Sequence, residues 1–244
     1  MKITLLLLAV LMSSMLYAQT RRQTEESGNL AKVYHVLKSD KSIKEGAYTE
    51  HSIFGHWLIC EGFYKNNLKD SLWKYYNFSN KVAETGYYKS GKKTGIWTAN
   101  NFKGEPEITY DYTNKKLILY NPDPSSEIKQ EVINGHDTVN VKLDQPAIYL
   151  DGITRFSITL AENIRYPAKA RETNIQGKVL IAFTVDSLGL ASNFRVKNGI
   201  GGGCDEEALR AVKLIEGDWL PAILNGKPVT VEVDMPVNFT LETR

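Results

Sequence analysis

The sequence predicts an α+β protein in two halves: an N-terminal all-β meander of hairpins and a C-terminal small antiparallel sheet with two or three helices. Two observations predict it. Glycine and aromatic residues recur at fixed spacing in the first half, whereas the second half mixes strands of period two with helical segments. The 244 residues, 42% of them apolar, suit one or two domains with real cores. Thirty Lys and Arg residues nearly balance 28 Asp and Glu residues, which argues against a general nucleic-acid binder.

The first eighteen residues are predicted to be a secretory signal peptide. A positive start is followed by an almost wholly apolar run over residues 3–12, and small residues precede Gln19. Cleavage after Ala18 is expected, which would leave the rest of the chain in the periplasm. Leu16 stands where a small residue is preferred, so an uncleaved inner-membrane anchor stays open as the alternative.

A glycine-rich and aromatic-rich repeat is predicted over residues 45–120, after a lead-in at residues 19–44. Three glycine–tryptophan pairs share a spacing of eleven residues: Gly46 with Trp57, Gly62 with Trp73, and Gly86 with Trp97. Strand-forming aromatics between turn residues such as Asn66-Asn67 predict successive β-hairpins, with the glycines supplying positive φ. Each hairpin alone is marginal, so the units are expected to stack.

This pattern resembles the MORN-type repeats, including those of exported bacterial proteins. The resemblance implies a curved, single-layer β-meander that serves as an adaptor or surface-binding module. For the three tryptophans we expect packing between hairpins rather than direct contact with a ligand.

Residues 121–146 are predicted to be a linker and a hairpin. Asn121-Pro122-Asp123-Pro124 breaks regular structure, because proline lacks an amide donor and restricts the residue before it. Residues 127–133 and 137–143 flank Asn134-Gly135, which is a strong signal for a two-residue hairpin turn. We interpret this segment as a connecting hairpin.

The C-terminal domain is predicted over residues 147–244, in the order α, β, β, α, β. Residues 153–163 and 167–173 are expected to form a pair of helices. Alternating apolar side chains then indicate a strand over residues 178–185 and a second strand over residues 191–197.

The last two predicted elements are a helix and a long strand. The helix starts at about Asp205, with acidic residues in its first turn, and ends near Gly217. The strand has apolar residues on one face from Val229 to Leu241. Because Pro236 lacks an amide donor inside that strand, we expect the strand at an edge of the sheet.

These residues resemble the TonB C-terminal domain over roughly residues 147–241. The matching motifs occur in the family's order: Glu162-Asn163-Ile164-Arg165-Tyr166-Pro167, Ile175-Gln176-Gly177-Lys178-Val179, Phe183-Thr184-Val185-Asp186, the run from Gly199 to Leu209, Trp219 with Pro221, Gly226-Lys227-Pro228-Val229, and Pro236-Val237-Asn238-Phe239. The resemblance implies a periplasmic protein that grips a short peptide, the TonB box, of an outer-membrane transporter and contributes to energy-coupled transport.

In that family the peptide adds as a strand beside the C-terminal edge strand, where unpaired backbone groups are available. Carried over to this sequence, the resemblance places the partner-binding residues in two neighbouring segments: Ile164, Arg165, Tyr166, Val231, Val233 and Met235. In the second segment the backbone would bind, because the alternating side chains are expected in the core. The implied partner is a TonB-dependent outer-membrane transporter, and a homodimer stays open.

Two departures from the family's full form bear on function. Residues 1–18 contain no motor-facing histidine, and aromatic repeats replace a long Pro-rich span. A cleaved chain would bind envelope partners without pulling on them, whereas an uncleaved anchor would make an ExbB/ExbD-type motor a further partner. The alternative function is a non-motor envelope adaptor or scaffold that uses the MORN-like repeats to bind a protein or a surface.

No catalytic, metal or cofactor site is predicted. The glycine run from Gly199 to Gly203 lacks the Lys-Ser/Thr pair of a P-loop. The four histidines show no ligand spacing with either cysteine: His35, His51, His56 and His136. Cys204 at a helix start is a candidate for a lowered pKa, but no partnered base is identifiable, so we expect a packed thiol.

Overall fold

The computed structural model describes residues 19–53, 57–122, 128–135 and 137–241. The chain divides after Tyr120 into two compact units, which are treated separately below. The predicted signal peptide, residues 1–18, lies outside the described residues. Within the described ranges, no helix is long and apolar enough to cross a membrane.

The first unit contains one antiparallel sheet in which each strand pairs with its neighbours in sequence. Its strands are β1 (Thr20–Ser27), β2 (Leu30–Leu37), β3 (Lys44–Ser52), β4 (Leu58–Lys65), β5 (Leu68–Tyr76), β6 (Val82–Lys89), β7 (Lys92–Asn100), β8 (Pro106–Asp111) and β9 (Lys116–Tyr120). The meander thus begins at Thr20, and the segment expected to be a lead-in supplies its first two strands.

Equivalent residues recur every 24 positions in this sheet. The recurring residues are Gly62 and Gly86; Tyr64, Tyr88 and Tyr112; Lys69 and Lys93; Trp73 and Trp97; and Asn77 and Asn101. Each period spans two strands, and the aromatic members of successive periods contact one another: the Tyr88 ring lies 6.0 Å from Trp73 and 4.9 Å from Trp97. Stacking of repeats therefore builds a continuous aromatic core that one hairpin alone could not bury.

Two of the three glycine–tryptophan pairs are direct contacts. The indole rings of Trp73 and Trp97 lie over Gly62 and Gly86, where an added Cβ atom would come within 2.3 Å and 2.1 Å of the ring. Each indole Nε1 also donates a hydrogen bond of 3.0 Å to the carbonyl of the residue after the glycine. These glycines are thus required by the close approach of a ring, and not by the positive φ expected from the sequence.

The third pair does not form this contact. An added Cβ atom at Gly46 would meet His35, and Trp57 instead packs edge-on against Phe78. Gly46 does have a positive φ, of 111°. The shared spacing of eleven residues therefore has one physical cause at two positions and a different one at the third.

The second unit contains a five-stranded sheet, two small two-stranded sheets and three helices among its described residues. Its elements are β10 (Lys129–Asn134), β11 (Asp137–Val139), β12 (Ile148–Tyr149), α1 (Gly152–Asn163), α2 (Ala168–Glu172), β13 (Gly177–Val185), β14 (Ala191–Asn198), α3 (Cys204–Lys213), β15 (Trp219–Leu220), β16 (Ala222–Leu224), β17 (Lys227–Val229) and β18 (Val231–Phe239). The large sheet has the order β11-β10-β18-β13-β14, and its core face packs against residues of α1 and α3.

Two predicted elements differ in extent. The second long helix, α3, ends at Lys213 rather than near Gly217. The apolar run from Val229 forms two strands, because the turn at Asn225-Gly226 folds β17 back on β16 before β18 pairs with β13.

The prediction that the last strand is an edge strand is wrong for its first half. β10 pairs with β18 from Lys129 opposite Asp234 to Val132 opposite Val231, while β13 covers the other side along nine residue pairs. The segment interpreted as a connecting hairpin is therefore part of the sheet. The physical reason is apolar burial, since Val132 packs against the core beneath the sheet.

Candidate functional site

The second half of β18 offers an open edge. Beyond Asp234, β18 pairs with β13 alone among the residues that the structure describes. The N–H of Ile133 donates to the carbonyl of Thr230 at 3.1 Å, so every second residue of β18 from Thr230 onward directs its backbone groups toward the β10 side. Pro236 and Asn238 belong to this set. The absence of an N–H at Pro236 therefore removes no hydrogen bond to β13. Asn238 presents its backbone N–H and carbonyl at the open edge.

The strand residues named from the sequence lie in the core. Val231, Val233 and Met235 are at most 3% exposed, as expected for their side chains. By the same alternation, their backbone groups face β13. The groups directed toward a strand on the β10 side belong instead to the residues between them and to Asn238, which sequence reasoning did not single out.

The predicted partner-binding segment from Ile164 to Tyr166 lies beside the C-terminal end of β18. The Tyr166 ring packs edge-on against Phe239 with 5.5 Å between the ring centroids. The Tyr166 hydroxyl donates a hydrogen bond of 2.7 Å to the Ile175 carbonyl, just before β13. Ile164 packs against the core, and Arg165 is exposed. Tyr-Pro thus fixes the chain beside the C-terminal end of β18.

Helix α3 holds this segment through one carboxylate. Glu207 accepts a hydrogen bond from the Arg165 N–H at 2.5 Å, and the Arg210 guanidinium contacts both Glu207 carboxylate oxygens at 2.6 and 2.8 Å. Arg210 also donates to the Asn163 carbonyl at 2.6 Å, at the end of α1. The Arg210 hydrogen bond keeps the pKa of Glu207 below its usual value, against the opposing effect of burial and with help from the Arg165 N–H. The charged form of Glu207 is therefore the one that anchors the segment.

An array of charges covers the sheet face opposite the core. Lys197 contacts Asp234 at 2.7 Å and Glu232 at 3.1 Å, and Arg195 contacts Glu232 at 2.7 Å. The hydrogen bond to Asp234 raises the pKa of Lys197, although burial opposes it. Burial alone would raise the pKa of Glu232, but the hydrogen bonds from Lys197 and Arg195 outweigh it and lower that pKa. The pattern that could have revealed this array is the alternation of two cations in one strand and two anions in another.

No group of three or more His, Cys, Asp or Glu side chains in the part of the chain that the structure describes could hold a metal ion. Cys204 is fully buried, and burial raises the pKa of its thiol, with further contributions from Asp205 and Glu206. The direction is thus opposite to the lowered pKa considered from the sequence, because burial, and after it the neighbouring carboxylates, outweigh the favourable end of the helix.

The C-terminal part of the chain matches a known family. Residues 162–241 match the family model of the Gram-negative bacterial TonB protein C-terminal. This match supports a TonB-like protein of energy-coupled transport, and the family is a non-enzymatic, envelope-associated domain whose members interact with TonB-dependent outer-membrane transporters. The matched residues include the Tyr166 segment and the whole of β18, whereas β10 lies outside them.

Other comparisons add little. No curated protein matches the chain. Among solved structures, S. aureus TarM in complex with fondaparinux, alpha-GlcNAc-glycerol and UDP is 21% identical over 46% of this chain and 23% of that chain, with a TM-score of 0.24. A second crystal structure of TarM is 20% identical over 47% of this chain and 23% of that chain, with a TM-score of 0.25. The chain thus spans about a quarter of the length of these proteins, and the likeness supports no argument about fold or function.

Proposed function

We propose that this protein is a periplasmic TonB-like protein that binds the TonB box peptide of a TonB-dependent outer-membrane transporter by strand addition to β18. The observation that carries the proposal is the open edge at Asn238, which lies in the matched family segment near the Tyr166–Phe239 contact. An extended peptide placed there would satisfy backbone groups that β13 leaves unused. The buried side chains of Val231, Val233 and Met235 hold the strand flat against the core, so that its backbone is a fixed template.

The other predicted partner-binding segment, Ile164 to Tyr166, would give the edge its selectivity. Ile164 and Tyr166 are anchored in the core, while the exposed Arg165 side chain carries a positive charge. The hydrogen bond from the Arg165 N–H to Glu207 holds that segment in one conformation before any peptide binds. Preorganisation of this kind lowers the entropy cost of binding.

The N-terminus decides how the protein contributes to transport. If the signal peptide is cleaved after Ala18, the chain acts as a periplasmic binding protein without a motor connection of its own. If residues 1–18 are retained as an anchor, an ExbB/ExbD-type motor becomes a further partner. The intact mass of the protein made in a two-membrane bacterium distinguishes the two forms.

A substitution at the open edge tests strand addition. Asn238→Pro removes the outward N–H, as Pro236 already does two residues earlier, without removing a hydrogen bond to β13. Asn238→Ala is the matched control, because it keeps the N–H and removes only the side chain. We expect the proline variant to bind a labelled TonB box peptide about tenfold more weakly by fluorescence anisotropy, and the alanine variant to bind within about twofold of wild type. Equal binding by both variants, with unchanged thermal stability, would contradict the proposal.

A second candidate function is that of an envelope adaptor acting through the first unit. Phe63, Tyr87 and Ile96, on β4, β6 and β7, are 47%, 54% and 55% exposed, and large exposed apolar side chains are available for contact with a partner. Replacing all three with serine tests it in fractionated cells. Loss of the protein from envelope fractions, with peptide binding unchanged, would favour the adaptor.

A further inference from the structure

Strand β10 occupies the stretch of β18 that a full-length added strand would need. The N–H of Ile133 donates to Thr230, and pairing continues to Lys129 opposite Asp234. The contact comprises four residue pairs, against nine between β13 and β18. Within the described ranges, β18 therefore has one continuous edge on this side, covered by β10 from Val231 to Asp234 and without a neighbour beyond it.

The core-facing side chains of β10, together with Ile128 just before it, alternate between apolar and polar. Ile128 and Val132 pack against the core, and Gln130 lies between them. The Gln130 amide nitrogen donates to the Ala147 carbonyl at 2.8 Å, and the Gln130 amide oxygen accepts from the Ala147 N–H at 2.7 Å. The edge thus accepts an extended segment with an amide side chain two residues from an apolar one on each side.

The outer face of β10 forms one favourable and one unfavourable charge pair with β18. Lys129 lies directly opposite Asp234, and opposite charges stabilise a strand pair. Glu131 lies directly opposite Glu232, and facing like charges destabilise a strand pair. Glu232 is already held by Arg195 and Lys197, whereas Glu131 accepts a hydrogen bond from the Thr138 hydroxyl of its own hairpin. The outer neighbour, β11, is three residues long and wholly exposed. The short pairing, the Glu131–Glu232 pair and the short outer strand together make β10 easier to detach from β18 than β13 is.

We propose that β10 is an intramolecular stand-in for the partner strand, and that a partner peptide replaces it along β18. This inference rests on the proposed function and deepens it. The replacing segment has the pattern apolar, any residue, Gln or Asn, any residue, apolar, with its amide side chain on the backbone of Ala147. Occupancy by β10 lowers the apparent affinity in proportion to the fraction of molecules in which the edge is free. Detachment of β10 would uncover Glu232 and Asp234 and extend the open edge from Asn238 back to Val231.

A peptide with the sequence of residues 128–134 tests the exchange most directly. We would titrate the full chain with synthetic Ile-Lys-Gln-Glu-Val-Ile-Asn, labelled for anisotropy. The Gln130→Ala variant of the protein removes both bonds to Ala147 and should bind the probe about tenfold more tightly than wild type. Gln23→Ala makes the same chemical change in the first unit and should have no effect. A probe with Ala in place of its Gln should bind the Gln130→Ala protein about tenfold more weakly than the unmodified probe does.

A reversible disulfide between β10 and β18 distinguishes strand exchange from other modes of binding. Val132→Cys with Val231→Cys places two thiols at a directly opposed pair, at a spacing that a disulfide can bridge. We expect the oxidised protein not to bind the probe and the reduced protein to bind it. Equal binding in the two states would overturn the inference.

The TonB box peptide distinguishes the two proposals. If it binds the oxidised and reduced protein alike and shifts the Asn238 amide, strand addition stands and exchange of β10 is overturned. If neither peptide binds any form of the protein, including Gln130→Ala, the proposed function itself fails.

Discussion

The close approach of a tryptophan to a glycine predicts a large effect of one methyl group. In the Gly86→Ala variant, the new Cβ atom would lie 2.1 Å from the Trp97 ring, whereas ordinary contact begins at 3.4 Å. The ring must therefore move by about 1.3 Å. Trp97 is 3% exposed and packs against Tyr88 and Tyr112, so it has little room to do so.

The expected cost follows from three contributions. Overpacking of a close-packed core costs about 1–3 kcal/mol, and loss of the indole hydrogen bond adds about 1 kcal/mol. Alanine also lowers the conformational entropy of the unfolded chain, which stabilises the folded state by about 0.4–1 kcal/mol. The sum lies between about 1 and 4 kcal/mol, so we expect Gly86→Ala to lower the free energy of unfolding of the first unit by about 2 kcal/mol.

Urea unfolding followed by tryptophan fluorescence measures this effect, since three of the four tryptophans lie in the first unit. With a slope of about 2 kcal/mol per molar urea, the midpoint should fall by about 1 M. Gly95→Ala is the control: nothing lies within 4 Å of its added Cβ, so we expect a loss of only about 1 kcal/mol, because the strain at its φ of 62° exceeds the gain from the lost freedom of the unfolded chain.

The refuting result comes from a double-mutant cycle. If the ring contact is the cause, Gly86→Ala should cost less than about 1 kcal/mol in a Trp97→Leu background. An unchanged cost in that background would show that the ring contact is not the reason for the glycine.

Three further predictions concern the second unit. Lys197→Met would leave two carboxylates of 10% or less side-chain exposure without their shared cation, so we expect a loss of about 3 kcal/mol at pH 7 in urea unfolding. Because the folded-state pKa of Glu207 is depressed, its contribution is present above its ordinary value of 4.5 and lost as pH falls through the folded pKa; Glu207→Gln should therefore flatten the acid limb of the stability curve. Cys204 should react with Ellman's reagent at pH 8 only after denaturant is added, because its thiol is buried with a raised pKa; rapid labelling of the native protein at Cys204 would contradict this.

Much of the second unit could be predicted from its sequence, because its strongest signals are local. The alternation from Val179 to Val185 and the turn at Asn225-Gly226 specify a strand and a hairpin through short-range sterics and burial. The role of the Tyr-Pro segment is predicted from the family resemblance alone, and the ring contact of Tyr166 with Phe239 is seen only in the structure.

The position of β18 in the sheet could not be predicted in the same way. Among the residues that the structure describes, β18 has no neighbour on its β10 side at Pro236, but a single proline reports on one position and not on the whole strand. Pairing with β10 joins segments about 100 residues apart in the chain, and the apolar residues of β10 are equally compatible with a connecting hairpin. The Gln130 contact with Ala147 is likewise invisible until the fold is known.

In the first unit, composition indicated the meander, and the reason for its glycines emerged only from the structure. A spacing of eleven residues predicts recurrence but does not distinguish positive φ from close approach. Gly62 requires space for a ring, whereas Gly46 requires a positive φ, and the sequence presents them identically.

The account depends most directly on whether a transporter peptide pairs with β18. The decisive measurement is a titration of ¹⁵N-labelled protein with a synthetic TonB box peptide, followed by amide chemical shifts and hydrogen exchange. The account predicts that the Asn238 amide shifts and becomes protected from exchange, while the amides of β14 on the far side of the sheet stay unchanged. Binding that leaves Asn238 unshifted, or that moves only the amides of β14 or of the first unit, would contradict it.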